Sequence, residues 1–442
     1  MSGRPLLVSS QQTPLRGTIA VPGDKSISHR ALILGAVADG VSYVRNWLPA
    51  GDTLATLSVM RALGVPIEVD EAAPFAWNLR IEGQGIKGLQ PPPEWLDCRN
   101  AGTAIRLLAG LLAGQSFPTV LDGSEQLRKR PMRRIIEPLG EMGARIHGED
   151  ARAPLQISPA LLHGISYRMP VASAQVKSAI LLAGLYAAGE TRVFQPGPAR
   201  DHTERMLAAM GVPILADGAW VTLPAERPDE LLPLDLTVPG DISSAAFPLV
   251  AAAIVPHSEI VLANIGANET RTGLLDILRQ MGAQIAVENE RETGGEPAVD
   301  LRVCFDELHA ATIAGDMVVR GIDEFPVLAV AASQAAGRSL VSDASELRVK
   351  EVDRISVLSG ELRKLGVPIE EMADGFAIDG PVRPLGATVD CHDDHRLAMA
   401  LAVCGLIAAG ETCVLDAQCA HDSFPGFVEA MQRLGATMRW GS

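Results

Sequence analysis

Aromatic residues are scarce in this sequence. They make up 4% of the 442 residues, so the core must come from Ala, Leu, Val and Ile, which suit close helix packing. A basic excess is lacking too: the formal net charge is −15, which argues against nucleic acid or an anionic membrane as partner. A small anionic substrate stays open, because charges beyond about 8 Å are screened at physiological salt and a local basic cluster outweighs a distant acidic surface. The six cysteines, at 98, 304, 391, 404, 413 and 419, form no C-x-x-C and no metal-like spacing with His. They read as reduced thiols, and no metal is expected. No apolar run reaches the length of a membrane span, and MSGRPLLVSSQQ has neither a secretory nor a transit pattern. A soluble, cytoplasmic protein is expected, of two domains at this length.

What is present is a repeat. The phrases RALGVPIEV, GEMGARIHG, AAMGVPILA, RQMGAQIAV, RKLGVPIEE and QRLGATMRW place Gly64, Gly143, Gly211, Gly282, Gly366 and Gly435 between 68 and 84 residues apart. A Gly directly after an amphipathic run is the left-handed residue that ends a helix, and the apolar residues after it start a strand. Before each phrase runs a second one, apolar on nearly all sides, as in AILLAGLYAAGETRV and FPLVAAAIVPHSEIV. Such helices must be buried all round. Six units of about this size, each with one buried helix, one amphipathic helix and several strands, make an α/β fold of stacked repeats.

The segments that open the buried helices carry the chemistry. They are GDKSISHR (23–30), RNAGTAIR (99–106), ASAQVKS (172–178), GDISSA (240–245), GIDEF (321–325) and DDHR (393–396). Gly, Ser, Asn and Asp there are helix-capping residues. Lys25, Arg30, Arg106, Lys177 and Arg396, however, fall in the first turns of apolar helices, where a cation needs an anion or carboxylate beside it. Helix N-termini add a partial positive charge of their own. Several such starts facing one cleft would bind phosphate and carboxylate groups. The literal G-x-G-x-x-G at GQGIKG (83–88) is followed by three prolines rather than a helix, so it reads as a turn between strands.

GDKSISHRAL, NAGTAIR, SAQVKSAILLAG, RDHTERML, GDISSAAFPL, DEFPVLAVAA, RVKEVDRI, DHRLAMA and DSFPGF occur in this order and together resemble the motif series of the EPSP synthase family. The resemblance covers nearly the whole chain. It implies two similar domains of three units each, an inside-out α/β barrel with buried parallel helices, sheets outside and the active site in the interdomain cleft. The domains would be 1–21 plus 238–442 and 22–237, with hinges near 21–24 and 237–241, where VPGD occurs twice. It also implies transfer of the enolpyruvyl group of phosphoenolpyruvate to the 5-hydroxyl of shikimate 3-phosphate, without cofactor or metal, by a monomer.

Carried onto matching positions, the resemblance gives Lys25 a place between the two substrates. Lys25, Ser26, Arg30, Ser173, Ala174, Gln175, Arg200, Asp323 and Lys350 would hold shikimate 3-phosphate. Lys25, Gly102, Arg130, Gln175, Arg354 and Arg396 would hold phosphoenolpyruvate, since Arg forks bind both oxygens of an anion. Asp323 would take the hydroxyl proton and Glu351 would protonate the methylene carbon. Three positions depart from the family's pattern: Asp422 stands where some relatives carry a Lys, Leu107 where many carry Pro, and Ala174 where some carry Ser. The sister reaction on a UDP-sugar uses a loop Cys, and the corresponding LDGSEQLRKRPM has none. A non-catalytic anion-binding scaffold would not need Asp323, Glu351 and Asp241 beside the cations.

Overall fold

The computed structural model describes residues 3–73 and 75–441; Met1, Ser2 and Ser442, at the ends of one expected domain, lie outside them. Each apolar run is a helix: α1 (Lys25–Ala36), α2 (Gly102–Ala113), α3 (Ala174–Gly184), α4 (Ile242–Ile254), α5 (Phe325–Gln334) and α6 (His395–Ile407). Beyond the first turn these helices are buried almost without exception, and α4 is buried throughout. No helix among the described residues is long and apolar enough to cross a membrane.

The six glycines of the repeat all have φ between 78° and 97°. After each, the next N–H reaches back five residues, as in Val65 to Met60 O (3.2 Å) and Ala144 to Leu139 O (2.9 Å). That is the Schellman closure of a helix, and it releases the chain into a strand.

Six four-stranded sheets repeat one plan. The strand after each buried helix pairs parallel with a short strand on one side and antiparallel with a longer neighbour on the other. Asp39–Trp47, for example, lies between Asp235–Thr237 (parallel) and Ala76–Gln84 (antiparallel). Its side chains alternate: Val44 and Trp47 are buried while Tyr43 and Arg45 are exposed. One face of the sheet therefore packs on the core and the other meets solvent. The sheet around Glu411–Leu415 takes its antiparallel neighbour, Leu6–Ser9, from the start of the chain.

The chain forms two compact units, each with its own hydrophobic core. The inserted unit is Gly23–Val238 with Glu292–Glu296; the terminal unit is the described residues up to Pro22, Pro239–Arg291 and those from Pro297 onward. Glu296 belongs to the inserted unit through a buried contact, Oε1 lying 2.8 Å from His202 Nδ1.

Both VPGD phrases mark the unit boundaries, and each does the same two things. Asp24 caps α1 by accepting from Ile27 N (2.9 Å), and Asp241 caps α4 by accepting from Ser243 N (2.9 Å). Gly23 passes so close to its neighbour strand that a Cβ would lie 2.1 Å from Asn46 O, and the matching contact for Gly240 is Asn264 O at 3.1 Å. Asn46 and Asn264 themselves sit at strand irregularities with φ of 56° and 57°. The units thus correspond down to one bulged asparagine each.

His29, in α1, is fully buried with Nδ1 2.7 Å from Thr56 Oγ1. Burial lowers its pKa to about 3. Between about 3 and its ordinary 6.5 the unfolded chain therefore binds a proton that the folded chain refuses, so stability falls as pH falls, by about 1.4 kcal/mol per pH unit. His29→Gln, which cannot take that proton, should flatten the fall. Urea unfolding of both proteins at pH 7 and pH 5 checks this, and parallel losses would refute it.

Candidate active site

The residues singled out from the sequence gather in two clusters, one in each unit. In the inserted unit, Lys25 opens α1, and its Nζ donates to Asp52 Oδ2 at 3.2 Å. Burial would raise the Asp52 carboxyl, but Lys25, His29 and Arg130 together outweigh that and hold it below its ordinary range. Arg30, one turn on, is buried and directs its donors inward: Nε to Thr203 Oγ1 (2.7 Å), Nη2 to Ser178 Oγ (2.7 Å) and Nη1 to the Ser26 carbonyl (3.0 Å). Burial pulls Arg30 down to about 10; Glu204 opposes that, and Arg200 is among the cations that reinforce it. Arg30 and Arg200 thus form a pair of like charges.

The helices α2 and α3 supply the next group. Ala101 caps α2 without a side-chain bond. Asn100, the expected capping residue, instead pairs its amide with Gln126 Oε1 at 2.6 Å. Gly102 follows, and a Cβ there would lie 2.9 Å from Arg130 Nη1 and 3.0 Å from Arg106 Nη1. Arg106 donates to Gln175 Oε1 (2.8 Å) and the Gly102 carbonyl (3.3 Å), while Gln175 Nε2 holds Thr103 Oγ1 (3.0 Å). Burial, then the neighbouring Arg130 and Arg134, lower Arg106 to about 10. The basic run splits: Arg128 pairs with Asp122 (Nε 2.9 Å) and Arg133 with Glu137 (3.3 Å), and Arg130 turns toward Gly102. Ser173 caps α3, accepting from Val176 N at 3.4 Å. With Ala174 and Gln175 it is half-buried, open to a ligand.

In the terminal unit three cations surround one carboxylate. Asp323 lies 3.4 Å from Lys350 Nζ, 3.6 Å from Arg354 Nη1 and 3.7 Å from Arg396 Nη2, and its carbonyl accepts from Arg396 Nη1 at 3.0 Å. It is not the cap of α5; that place falls to Glu324, without a side-chain bond. Arg354 is 2% exposed. Its Nε donates to Asp394 Oδ2 and its Nη2 to Glu351 Oε2, both at 2.7 Å. Its Nη1 is buried with no hydrogen-bond partner among the described residues. Asp394, fully buried, also caps α6 by accepting from Arg396 N (2.9 Å) and Leu397 N (3.3 Å). Beside them Glu324 accepts from Ser243 Oγ, and burial pushes its carboxyl above the ordinary range, Arg396 pulling the other way. Asp422 is exposed, so that position brings no cation.

Asp52, Glu324 and Asp394 were not among the expected site residues. Asp394 and Glu324 lie inside segments read as caps and are themselves the caps, each next to a second carboxylate, Asp393 or Asp323, that could have been taken for it. Asp52 had no local signal. Among the described residues, no three His, Cys, Asp or Glu side chains gather in a way that could hold a metal ion.

The EPSP synthase family model, that of 3-phosphoshikimate 1-carboxyvinyltransferase, matches residues 9–431. The chain belongs to this family. A 3-phosphoshikimate 1-carboxyvinyltransferase of Geobacter sulfurreducens is 50% identical over 430 residues, 97% of this chain and 99% of that one. One from Acidithiobacillus ferrooxidans is 50% identical over 428 residues, 97% of both chains. The solved EPSP synthase of Acinetobacter baumannii superposes with a TM-score of 0.91 at 41% identity, covering 99% of this chain and 100% of its own. The fold is thereby the two-domain inside-out α/β architecture.

The Arg354–Asp394 pair yields a stability prediction. Asp394→Ala strands a buried guanidinium and should cost about 3–5 kcal/mol, plus about 1 kcal/mol for the lost cap. Asp394→Asn, which can still cap, should recover the smaller part. Urea unfolding measures both, and a loss below about 1 kcal/mol for Ala would show that Arg354 does not depend on Asp394.

Proposed function

We propose that this chain catalyses the reaction its family is named for, transferring the enolpyruvyl group of phosphoenolpyruvate to the 5-hydroxyl of shikimate 3-phosphate with release of phosphate. The observation that carries the assignment of roles is Asp323 among Lys350, Arg354 and Arg396, with one buried Arg354 nitrogen left without a hydrogen-bond partner among the described residues. An unsatisfied guanidinium N–H is costly, and an anionic substrate oxygen would satisfy it.

Ser26, Arg30, Ser173, Ala174, Gln175, Arg200 and Lys350 hold shikimate 3-phosphate in this reading. Gly102, Arg130, Gln175, Arg354 and Arg396 hold phosphoenolpyruvate, and Lys25 serves both. Asp323, kept ionised by the cations around it, accepts the proton of the 5-hydroxyl. The freed oxygen attacks the enol carbon, and Glu351 protonates the methylene carbon. Glu351 is at first poorly suited to that step, because Arg354 Nη2 at 2.7 Å favours its charged form. A substrate carboxylate arriving at Arg354 competes for that guanidinium and so favours a proton on Glu351. Loss of phosphate and of one methyl proton then gives the product enol ether. In this reading the domains are 1–21 plus 238–442 and 22–237, which differ from the two compact units by one residue at each crossing and by Glu292–Glu296, and the crossings near 21–24 and 237–241 are their hinges. The protein works as a cytoplasmic monomer with no nucleic-acid or membrane partner, which its net charge of −15 supports.

A coupled assay tests the reading: phosphate should be released only when phosphoenolpyruvate and shikimate 3-phosphate are both present. Asp323→Asn should lose turnover by about 10²–10⁴-fold, the scale of a general base, with unfolding unchanged. Lys25→Ala should also lose turnover and stay folded, because Asp52 keeps contact with solvent. Near-normal rates in either would remove that residue from its role. Gly102→Ala meets only the flexible ends of Arg130 and Arg106, so it should fold normally and raise the KM for phosphoenolpyruvate; an unchanged KM would count against Gly102 beside that substrate.

A further inference from the structure

Lys177 has no exposed surface, and none of the roles above uses it. An ammonium has three N–H donors, and here three acceptors meet it: Gln195 Oε1 at 2.8 Å, the Ala199 carbonyl at 3.4 Å and Glu204 Oε1 at 2.5 Å. The contact to Glu204 is an ion pair whose angles fall outside a hydrogen bond, so the aligned bonds go to Gln195 and Ala199. Gln195 follows the strand Thr191–Phe194, and Ala199 directly precedes Arg200. Glu204 lies in the helix His202–Ala209 that comes next. One buried charge therefore ties both ends of the loop 195–200 and the helix after it.

Pro196 and Pro198 carry no N–H, and Gln195 N bonds outward to Ala219 O (2.8 Å). Lys177 itself stands on the first turns of α3, two residues after Gln175, with its own N–H bonded to the Ser173 carbonyl at 3.1 Å.

We propose that Lys177 is a positioning residue for shikimate 3-phosphate: its buried ammonium fixes Arg200 at a set distance from the start of α3, so that both grip the same substrate. This rests on the assignment of Ser173, Gln175 and Arg200 to that substrate. A hydrophobic residue of the same length would fill the space, but it would leave the Ala199 carbonyl and Gln195 unheld. Lys177 also pairs with Glu204, whose charge bears on Arg30 as well.

Lys177→Met alone would strand the buried Glu204, so the informative protein is the double variant Lys177→Met with Glu204→Gln, which removes both charges together. It should unfold near the wild-type midpoint. Its KM for shikimate 3-phosphate should rise about tenfold, the scale of one charge-assisted hydrogen bond, while kcat and the KM for phosphoenolpyruvate stay within about threefold. A purely structural Lys177 predicts instead that the active fraction falls with the unfolding midpoint and that neither KM moves. An unchanged KM for shikimate 3-phosphate, or equal changes for both substrates, overturns the proposal. If the double variant does not fold, Gln195→Leu decides, because it removes one tie and keeps the ion pair: a raised KM for shikimate 3-phosphate alone supports the proposal, and an unmoved one overturns it. Failure of the wild-type protein to release phosphate from the two substrates would instead sink the functional reading itself.

Discussion

A cation can sit in an apolar interior only where something accepts hydrogen bonds from it, and that constraint organises both clusters. Arg354 has almost no contact with water and is held by two carboxylates on its Nε and Nη2. Asp394 serves as its counter-charge and as the cap of α6, so one carboxylate fixes a guanidinium and the helix that carries Arg396. Arg354 is therefore fixed at the centre of the terminal cluster, its Nη1 held in place by the hydrogen-bonded Nε and Nη2. In the inserted unit Lys25 and Lys177 meet the same constraint with the carboxylates of Asp52 and Glu204, while Arg30 and Arg106 are held by neutral acceptors: hydroxyls and a carbonyl take the donors of Arg30, an amide and a carbonyl those of Arg106. Neutral acceptors leave the positive charge uncancelled.

Much of the architecture was legible in the sequence because it is periodic. The six glycines could be read as left-handed helix ends since few other residues tolerate that backbone, and all six adopt it. The buried helices could be read from apolarity on every side. What the repeat could not reveal is which strands complete each sheet. Leu6–Ser9 closes a sheet with Glu411–Leu415, some four hundred positions away, and nothing local in either strand names its partner. The bulged Asn46 and Asn264 escaped for a related reason: their positive φ answers a glycine that approaches from a different strand.

The site divides in the same way. Lys25, Arg30, Lys177 and Arg396 stood out because a charge inside an apolar run violates a local rule, and a violated rule marks function or a buried partner. The partners obeyed their local rules and so stayed silent. Asp52 is an ordinary acidic residue in a helix's first turn, and Glu204 an ordinary one in an amphipathic helix. Asp323 showed the converse: its segment suggested a helix cap, yet the cap is Glu324 and Asp323 faces three cations.

Two units of one plan nonetheless carry opposite chemistry. In the inserted unit the cations stand on the buried helices themselves, at Lys25, Arg30, Arg106 and Lys177, so the rigid core fixes positive charge in space. In the terminal unit α4 and α5 open with the carboxylates Asp241, Asp323 and Glu324, and cations reach them from Arg271, Lys350 and Arg354 on other segments and from Arg396 in the first turn of α6. A carboxylate on a rigid helix start, ringed by cations on separate segments, is poised to change protonation when an anion draws one of those cations away. In the proposed reading a cation on a helix start serves to hold, and the same fold yields a gripping half and a proton-handling half according to which sign of charge is built into the helix and which is brought to it.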